Sequence, residues 1–209
     1  MSAMNPFFAS STLPYQAPPF DLIKDEHYRP AFDEALKRKR QDIADIARNP
    51  AEATFENTFI ALEKSGEMLA RVTSVFFAMA ASNSNDEIQR LDEAFSAELA
   101  GLANDIYLND ALFTRVQAVW EKRDSLGLDS ESHRLIEVIY QRFILAGARL
   151  GREEKAELKT LNTEAATLSS QFHQCLLGAA KSGGLVVDNE AALAGLSADE
   201  VAAAAMAAA

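Results

Sequence analysis

The stretch TFENTFIALEKSGEMLARVTSVFFAMAA, Thr54 to Ala81, decides the fold class. Its large apolar side chains recur every three or four residues, which is the spacing of one face of an α-helix. Thr54 stands directly before the first of them and is a good N-terminal helix cap. Around Val75, Phe76 and Phe77 the apolar face widens, which indicates burial on more than one side. The stretch therefore predicts one continuous helix. Its apolar stripe is Phe55, Phe59, Leu62, Leu69, Val72, Phe76 and Met79.

Five further helices are predicted, so the expected fold is all-α. The connections are short, which favours antiparallel packing of long neighbouring helices. The first of these five covers about Tyr28–Arg48, and the second opens at a capping box of Ser84 and Glu87 and carries Ile88 to Ile106. The third is capped by Asn109 or Asp110 and ended by Gly127, and the fourth is capped by Ser130 and ended by Gly151. The last covers about Arg152–Ala180. The apolar stripe predicted on the last of these is Leu158, Leu161, Leu168, Phe172 and Leu176.

Three segments are expected along the chain. Residues 1–24 are rich in proline and form an irregular arm, anchored by the aromatic residues Phe7, Phe8, Tyr15 and Phe20. Residues 25–181 form the helical part. Residues 182–209 begin with SGGLVVD, which predicts a turn and a short extended piece. They end in a helix opened by the capping box of Ser197 and Glu200, and this helix is expected to continue beyond Ala209.

The composition excludes several kinds of partner. A net charge of −11 argues against nucleic-acid binding and against docking on an anionic membrane. No apolar run approaches the roughly 20 residues of a membrane span, and the N-terminus lacks the features of a secretory signal. The single cysteine, Cys175, is interpreted as a packing residue on an apolar helix face. It cannot form an internal disulfide, and we expect a cytoplasmic protein.

The histidines His27, His133 and His173 offer no recognisable metal site. None is in an HExxH motif, which places two imidazoles on one helix face for zinc. His133 and Glu137 are interpreted as a surface pair, with a two-ligand metal site as the alternative, and His27 is given a local role in a first helical turn. The sequence contains no GxSxG elbow, P-loop or GxGxxG motif. From residues and spacing alone, no catalytic, cofactor-binding or metal-binding residue is predicted.

The charged clusters also have structural explanations. The basic run KRKR, Lys37–Arg40, is expected to be a solvated helix face. The run GARLG, Gly147–Gly151, is interpreted as a helix end with a capping glycine. Acidic pairs are expected at helix starts, where they favour the helix dipole. These pairs are Asp25/Glu26, Asp33/Glu34, Asp86/Glu87 and Glu153/Glu154.

Five segments carry a more specific signal together. They are NPFFASSTLPYQAPPFDLIKDEHYRPAFDEAL (Asn5–Leu36), SGEMLARVTSVFFAMAASNSNDEIQRLDEAFSAELAGLANDIYLND (Ser65–Asp110), LGLDSESHRLIEVIYQRFILAGARL (Leu126–Leu150), LNTEAATLSSQFHQ (Leu161–Gln174) and KSGGLVVDNEAALAGLS (Lys181–Ser197). These segments cover nearly the whole chain, and they resemble the N-terminal region of the thimet-oligopeptidase-type zinc metallopeptidases. Within that family the similarity is greatest to the bacterial peptidyl-dipeptidases, which are dipeptidyl carboxypeptidases.

The resemblance implies a zinc enzyme that removes dipeptides from the C-termini of short peptides. It also implies a two-lobed helical fold around a channel, with zinc on an HExxH helix and a more distant glutamate as third ligand. The chain matches the N-terminal helices and has no HExxH, so no catalytic residue is carried over. We expect it to form part of one lobe and to wall and gate the channel. The isolated chain is expected to be inactive and to bind no zinc.

The expected partners are short peptides and the C-terminal catalytic part of the enzyme. Separated from that part, the chain is expected to expose apolar surface that the whole enzyme covers. Two other hypotheses remain open. One is a non-enzymatic, acidic helical module that binds a protein partner, and the other is a natural regulatory fragment that pairs with the rest of the enzyme.

Overall fold

A computed structural model describes residues 5–183, 187 and 189–208. The chain divides into two compact units, Met1–Ser170 and Gln171–Ala209. No strand or sheet occurs within the described residues, and the all-α prediction is confirmed. The α-helices are α1 (Asp25–Arg48), α2 (Ala61–Lys64), α3 (Glu67–Ser82), α4 (Asp86–Tyr107), α5 (Asp110–Lys122), α6 (Ser130–Leu145), α7 (Arg152–Ser182) and α8 (Ala198–Ala208).

The continuous helix predicted from Thr54 onward is broken, which corrects that expectation. Thr54 is the cap as predicted, because its Oγ1 accepts the Asn57 N–H at 3.1 Å and the Asn57 Oδ1 accepts the Thr54 N–H at 2.9 Å. A π-helical segment, Phe55–Ile60, then leads into α2, which ends at Lys64 and is followed by Ser65. Gly66 follows with a φ of +77°, a left-handed conformation that glycine adopts without steric cost. Helix α3 starts after it with the same apolar spacing, which hides the break from any reading of periodicity.

Helices α4 and α5 begin at asparagine caps. Asn85, rather than the predicted Ser84, caps α4, because its Oδ1 accepts the N–H groups of Glu87 and Ile88, both at 2.9 Å. Asparagine is at least as good a cap as serine, and Asn85 directly precedes Asp86, the first residue of the helix. Asn109 caps α5, as one of the two predicted alternatives.

Both predicted ends of α6 are shifted along the chain. Asp129, rather than Ser130, is the cap, because its Oδ1 accepts the Ser132 N–H at 2.8 Å. The helix ends at Leu145, and the glycine that follows its end in a left-handed conformation is Gly147, with a φ of +93°, and not Gly151. The interpretation of GARLG as a helix end with a capping glycine is thus confirmed, but the first glycine of the run has this role and not the last.

Two apolar clusters form the core of the first unit, and α1 contributes to both. Its N-terminal half places Phe32 in the first cluster, and its C-terminal half places Ile46 in the second. In the first cluster the ring of Phe32 stacks on that of Phe95, with centroids 3.8 Å apart. Every member of the apolar stripe predicted from Phe55 to Met79 is buried or half-buried.

The N-terminal arm is anchored by one of its four predicted aromatic residues. Phe7 is buried in the first cluster, because hydrogen bonds hold its 3₁₀ turn against the helices. Asn5 Nδ2 donates to the carbonyl oxygen of His27 at 2.8 Å, and Arg71 donates to that of Phe7 at 3.1 Å. The other three predicted anchors are wrong. Phe8, Tyr15 and Phe20 are all exposed.

The predicted apolar stripe of α7 is largely exposed, unlike the stripe predicted from Phe55 to Met79. Leu158 is half-buried, but Cys175 is exposed, so within the described chain it does not have the packing role that was predicted for it. Periodicity indicates which side chains share a helix face, but it does not indicate whether another element covers that face. The remaining members of the stripe are exposed, namely Leu161, Leu168, Phe172 and Leu176.

The second unit contains the predicted capping box. The Glu200 N–H donates to Ser197 Oγ at 3.3 Å, and Glu200 Oε2 accepts the Ser197 N–H at 2.7 Å. The backbone and side-chain hydrogen bonds from Ser197 hold the pKa of the Glu200 carboxyl below its usual value. The turn and extended piece predicted for Ser182–Asp188 lie mostly outside the described residues. None of the described helices has the length and apolar character that a membrane crossing requires.

Candidate functional site

A cavity of about 240 Å³ opens beside the break between α2 and α3. Lys39 of α1, Ser65 at the break and Arg142 of α6 supply polar groups to its wall. Tyr107 and Phe143 supply aromatic surface, and their ring centroids are 5.1 Å apart. Because it combines cationic groups with an aromatic wall, this cavity is the first candidate for a binding or catalytic site.

The lysine and serine of this cavity form a structural contact and not a nucleophile–base pair. Lys39 Nζ donates to the Ser65 carbonyl oxygen at 3.1 Å and to Ser65 Oγ at 2.5 Å. The Ser65 hydroxyl donates its proton to the Leu62 carbonyl oxygen at 2.5 Å, so this proton is not directed at Lys39. A nucleophilic serine needs a base that accepts its proton, and here the lysine is the donor.

Burial alters the electrostatics of this lysine. Desolvation lowers the pKa of the Lys39 ammonium below its usual value, and the carboxylates of Asp42 and Glu63 act in the opposite direction. Asp42 also accepts the Gly66 N–H at 3.2 Å. Lys39 and Asp42 thus hold the chain at the break from the same side of α1. We refer to these two residues as the α1 clasp.

The clasp modifies one prediction about charged residues. The basic run Lys37–Arg40 is exposed as expected, except at Lys39, which is half-buried because its stem packs against Gly66.

The acidic pair Asp33 and Glu34 was expected at a helix start but lies inside α1. Each of the two carboxylates pairs with an arginine four residues away on the same helix. The other three acidic pairs are in first turns, as predicted.

A second cavity of about 340 Å³ lies between α1 and α4. The polar groups in its wall have partners: Arg40 Nε donates to Asp105 Oδ2 at 3.3 Å, and Asn104 Oδ1 accepts from Asn162 Nδ2 of α7 at 2.7 Å. Asn104 is buried and its Nδ2 donates to the Lys159 carbonyl oxygen at 3.5 Å. These contacts connect α7 to α4 within the first unit and leave the amide of Asn104 paired.

Sequence reasoning missed the buried Arg115. Its Nη1 donates to the carbonyl oxygens of Asn49 and Ala51 at 2.8 and 2.9 Å, and its Nη2 donates to Asn57 Oδ1 at 2.7 Å. A signal was present, because this arginine stands three residues after the buried Leu112 and therefore on the core side of α5. A charged residue at such a position indicates a buried partner.

The histidines do not assemble a site. His27 has the predicted local role, because its Nδ1 accepts the Lys24 N–H at 3.0 Å in the first turn of α1. The predicted surface pair of His133 and Glu137 is not formed. Glu137 instead accepts a hydrogen bond from Arg134 Nη1 at 2.9 Å, one residue beyond the histidine.

The described residues do not fit a zinc ion. A catalytic zinc site needs three protein ligands, and no three His, Cys, Asp or Glu side chains converge in the described part of the chain. His173 and Cys175 are both exposed on α7. That the chain carries no catalytic or cofactor-binding residue remains a prediction.

Known proteins similar to this chain are peptidases. No protein-family model matches the sequence. Curated proteins do match it over nearly its whole length, and three bacterial peptidases are among them. These matches confirm that the five segments resemble peptidases.

In particular, the chain is similar to the dipeptidyl carboxypeptidases of Escherichia coli (strain K12) and Salmonella typhimurium. It is 67% identical to the first over 208 residues and 65% identical to the second over 204 residues, which is 100% and 98% of this chain. It is also 25% identical over 196 residues to the oligopeptidase A of Haemophilus influenzae, covering 94% of this chain and 28% of that protein. The chain spans about 30% of the length of the two dipeptidyl carboxypeptidases.

Proposed function

We propose that the chain forms the N-terminal helical part of a zinc metallopeptidase that releases C-terminal dipeptides from short peptides. The observation that carries this proposal is the 67% identity, over the whole chain, to a protein named dipeptidyl carboxypeptidase. The all-α fold agrees with the helical lobe that the resemblance implies. The single cysteine cannot form an internal disulfide, which supports a location in the cytoplasm.

In this proposal the helices wall a substrate channel and control access to it. A wall of packed helices would exclude folded proteins, and the two apolar clusters of the first unit support this role because they hold its helices together. The break at Ser65 and Gly66 interrupts it, and the ends of helices are where closing movements are usually absorbed. The α1 clasp would set how far the chain can bend at this point.

The zinc ion of the proposed enzyme is held outside this chain. HExxH is absent from the sequence, and the described residues do not fit a zinc ion. No step of peptide hydrolysis is therefore assigned to residues of this chain, and the chain alone is proposed to be inactive.

The test is an activity assay on a full-length protein that contains this chain. With zinc present and an N-blocked tripeptide as substrate, mass spectrometry should detect the released C-terminal dipeptide, and a chelator should stop its release. The 209-residue chain, assayed in parallel with zinc, should release none. If the full-length protein released no dipeptide, the enzyme proposal would be wrong. Chelator-sensitive release by the 209-residue chain would instead contradict its proposed inactivity.

The net charge of −11 supports a second candidate function, an acidic helical module that binds a basic partner. An inactive full-length protein that binds a basic peptide in a salt-dependent manner would favour this module.

The regulatory-fragment hypothesis is tested by mixing the 209-residue chain with the rest of the protein. Without a complex and without restored activity, that hypothesis fails.

A further inference from the structure

Helix α7 carries an exposed apolar face in the second unit. Phe172 is 65% exposed and Leu176 is 51% exposed, and side chains four residues apart lie on the same side of a helix. Cys175 and Ala179, also exposed, fall on the same side. We call these four residues the α7 face.

This face differs from the single exposed apolar residues that occur on most protein surfaces. One exposed leucine is ordinary, but an aromatic and an aliphatic side chain that adjoin on one helix face form a continuous apolar surface. The same spacing on α3 and α4 accompanies burial in a cluster. The amphipathic pattern therefore indicates a surface that is suited to packing and is uncovered among the described residues.

The lengths of the curated relatives indicate what covers it. The matched region is only 30% of the E. coli dipeptidyl carboxypeptidase, so most of such a protein lies outside the region that this chain matches. A second copy of this chain fits less well, because two chains of net charge −11 repel each other. A polypeptide in the same molecule is tethered, and its effective concentration at the face is high.

We propose that the α7 face packs against the polypeptide that lies outside the matched region in the full-length protein. This inference rests on the proposed function, since it assumes a full-length protein of the relatives' kind. The face would then be an internal contact of the enzyme, with Phe172 and Leu176 as its apolar centre.

Cys175, the single cysteine of this chain, tests the inference directly. In the full-length protein, with any cysteines outside this chain replaced by serine, a maleimide reagent reports the exposure of the Cys175 thiol. The matched control combines His173→Cys with Cys175→Ser, because residues two apart lie about 200° apart around a helix. Cys175 should react at least about tenfold more slowly than the control thiol, and denaturant should make the two rates equal. Equal rates in the native protein would overturn the inference.

Two variants identify the contact. Leu176→Glu should raise the labelling rate of Cys175 towards that of the control thiol, because a carboxylate cannot remain in an apolar contact. Leu145→Glu, which changes an 87% exposed leucine of α6, should leave the Cys175 rate unchanged. A Cys175 that stays protected in the Leu176→Glu protein would overturn the inference. Protection that disappears on dilution would do the same, because it would identify a second copy as the occupant.

The labelling and activity results can fail independently. A full-length protein that releases dipeptides, but in which both thiols react equally, would leave the proposed function standing and refute the α7 contact. An inactive full-length protein with a protected Cys175 would refute the enzyme proposal and support the contact.

Discussion

The guanidinium of Arg115 lies beneath the end of α1, with its Nη1 2.8 Å from the carbonyl oxygen of Asn49. Asn49 is the C-terminal cap of α1 and Ala51 lies in the connection that follows, and the carbonyl oxygens of both accept hydrogen bonds from this one side chain. Its Nη2 also holds Asn57, which takes part in the capping box of Thr54. One buried cation therefore fixes the connection between α1 and the π-helical segment.

Replacement of this arginine should be strongly destabilising. Arg115→Met leaves the Asn49 and Ala51 carbonyl groups without their donor, and we expect a loss of about 2–4 kcal/mol in the free energy of unfolding. Urea denaturation of the 209-residue chain, followed by circular dichroism, measures this loss. Arg134→Met is the control, because Arg134 forms an exposed pair with Glu137 and should contribute at most about 1 kcal/mol. Equal denaturation midpoints for the two variants would contradict the role of Arg115.

Phe76 tests the first apolar cluster. Its side chain is fully buried, and its ring meets those of Tyr28 and Phe95 at centroid distances of 5.2 and 4.7 Å. Phe76→Ala should lower the free energy of unfolding by about 3–5 kcal/mol. Phe20→Ala removes the same atoms from an exposed position and should change stability little. A Phe76→Ala chain as stable as the wild type would show that this face of α3 is not packed as described.

Two glycines should respond to alanine with opposite signs. At Gly66 the left-handed φ alone costs an alanine about 1–2 kcal/mol, and its Cβ would lie 2.6 Å from Lys39 Cδ. Gly66→Ala should therefore be destabilising and should displace Lys39. Gly101 lies inside α4 with nothing within 4 Å of the added Cβ, so Gly101→Ala should be stabilising by about 0.5–1 kcal/mol. Thermal unfolding of both variants decides this, and a shift of the same sign in both would refute the explanation.

The cap of α6 predicts a pH dependence. Hydrogen bonds from Ser132 hold the pKa of the Asp129 carboxyl below its usual value of 3.8. Asp129 therefore contributes stability that is fully present above this usual value and is lost as the pH falls through the lowered folded-state pKa. An NMR titration should find a lower pKa for Asp129 in the folded chain than in the urea-unfolded chain. In parallel, the stability difference between wild type and Asp129→Asn should shrink as the pH falls. The same pKa in both states would contradict the prediction.

The sequence was sufficient for the fold class because apolar spacing reports helices directly. It also located the caps at Thr54 and Asn109 and the capping box of Ser197 and Glu200, where one short motif determines local geometry. It did not reveal the break at Gly66, because the stripe resumes in α3 with unchanged spacing. One glycine in a helical pattern costs little, and only tertiary contacts such as the α1 clasp decide whether the helix bends there.

The burial of individual residues was harder to predict from the sequence. The periodicity of α7 resembles that of α3, yet Phe172 is exposed and Phe76 is buried, because burial depends on which element lies opposite. The same reason explains why Phe7, and none of the other three predicted aromatic anchors, is buried. For the candidate site, the KRKR run was predicted to be solvent-exposed. The sequence did not indicate that Lys39 would be half-buried, because this depends on its contact with Ser65 at the break between α2 and α3.

Helix α1 has a consequence for how the first unit unfolds. Because it places Phe32 in one apolar cluster and Ile46 in the other, neither cluster can release α1 without disrupting its neighbour. The two clusters therefore form a single cooperative unit. The amide protons in the middle of α1 should exchange with deuterium only when the whole unit opens, later than those of the N-terminal arm.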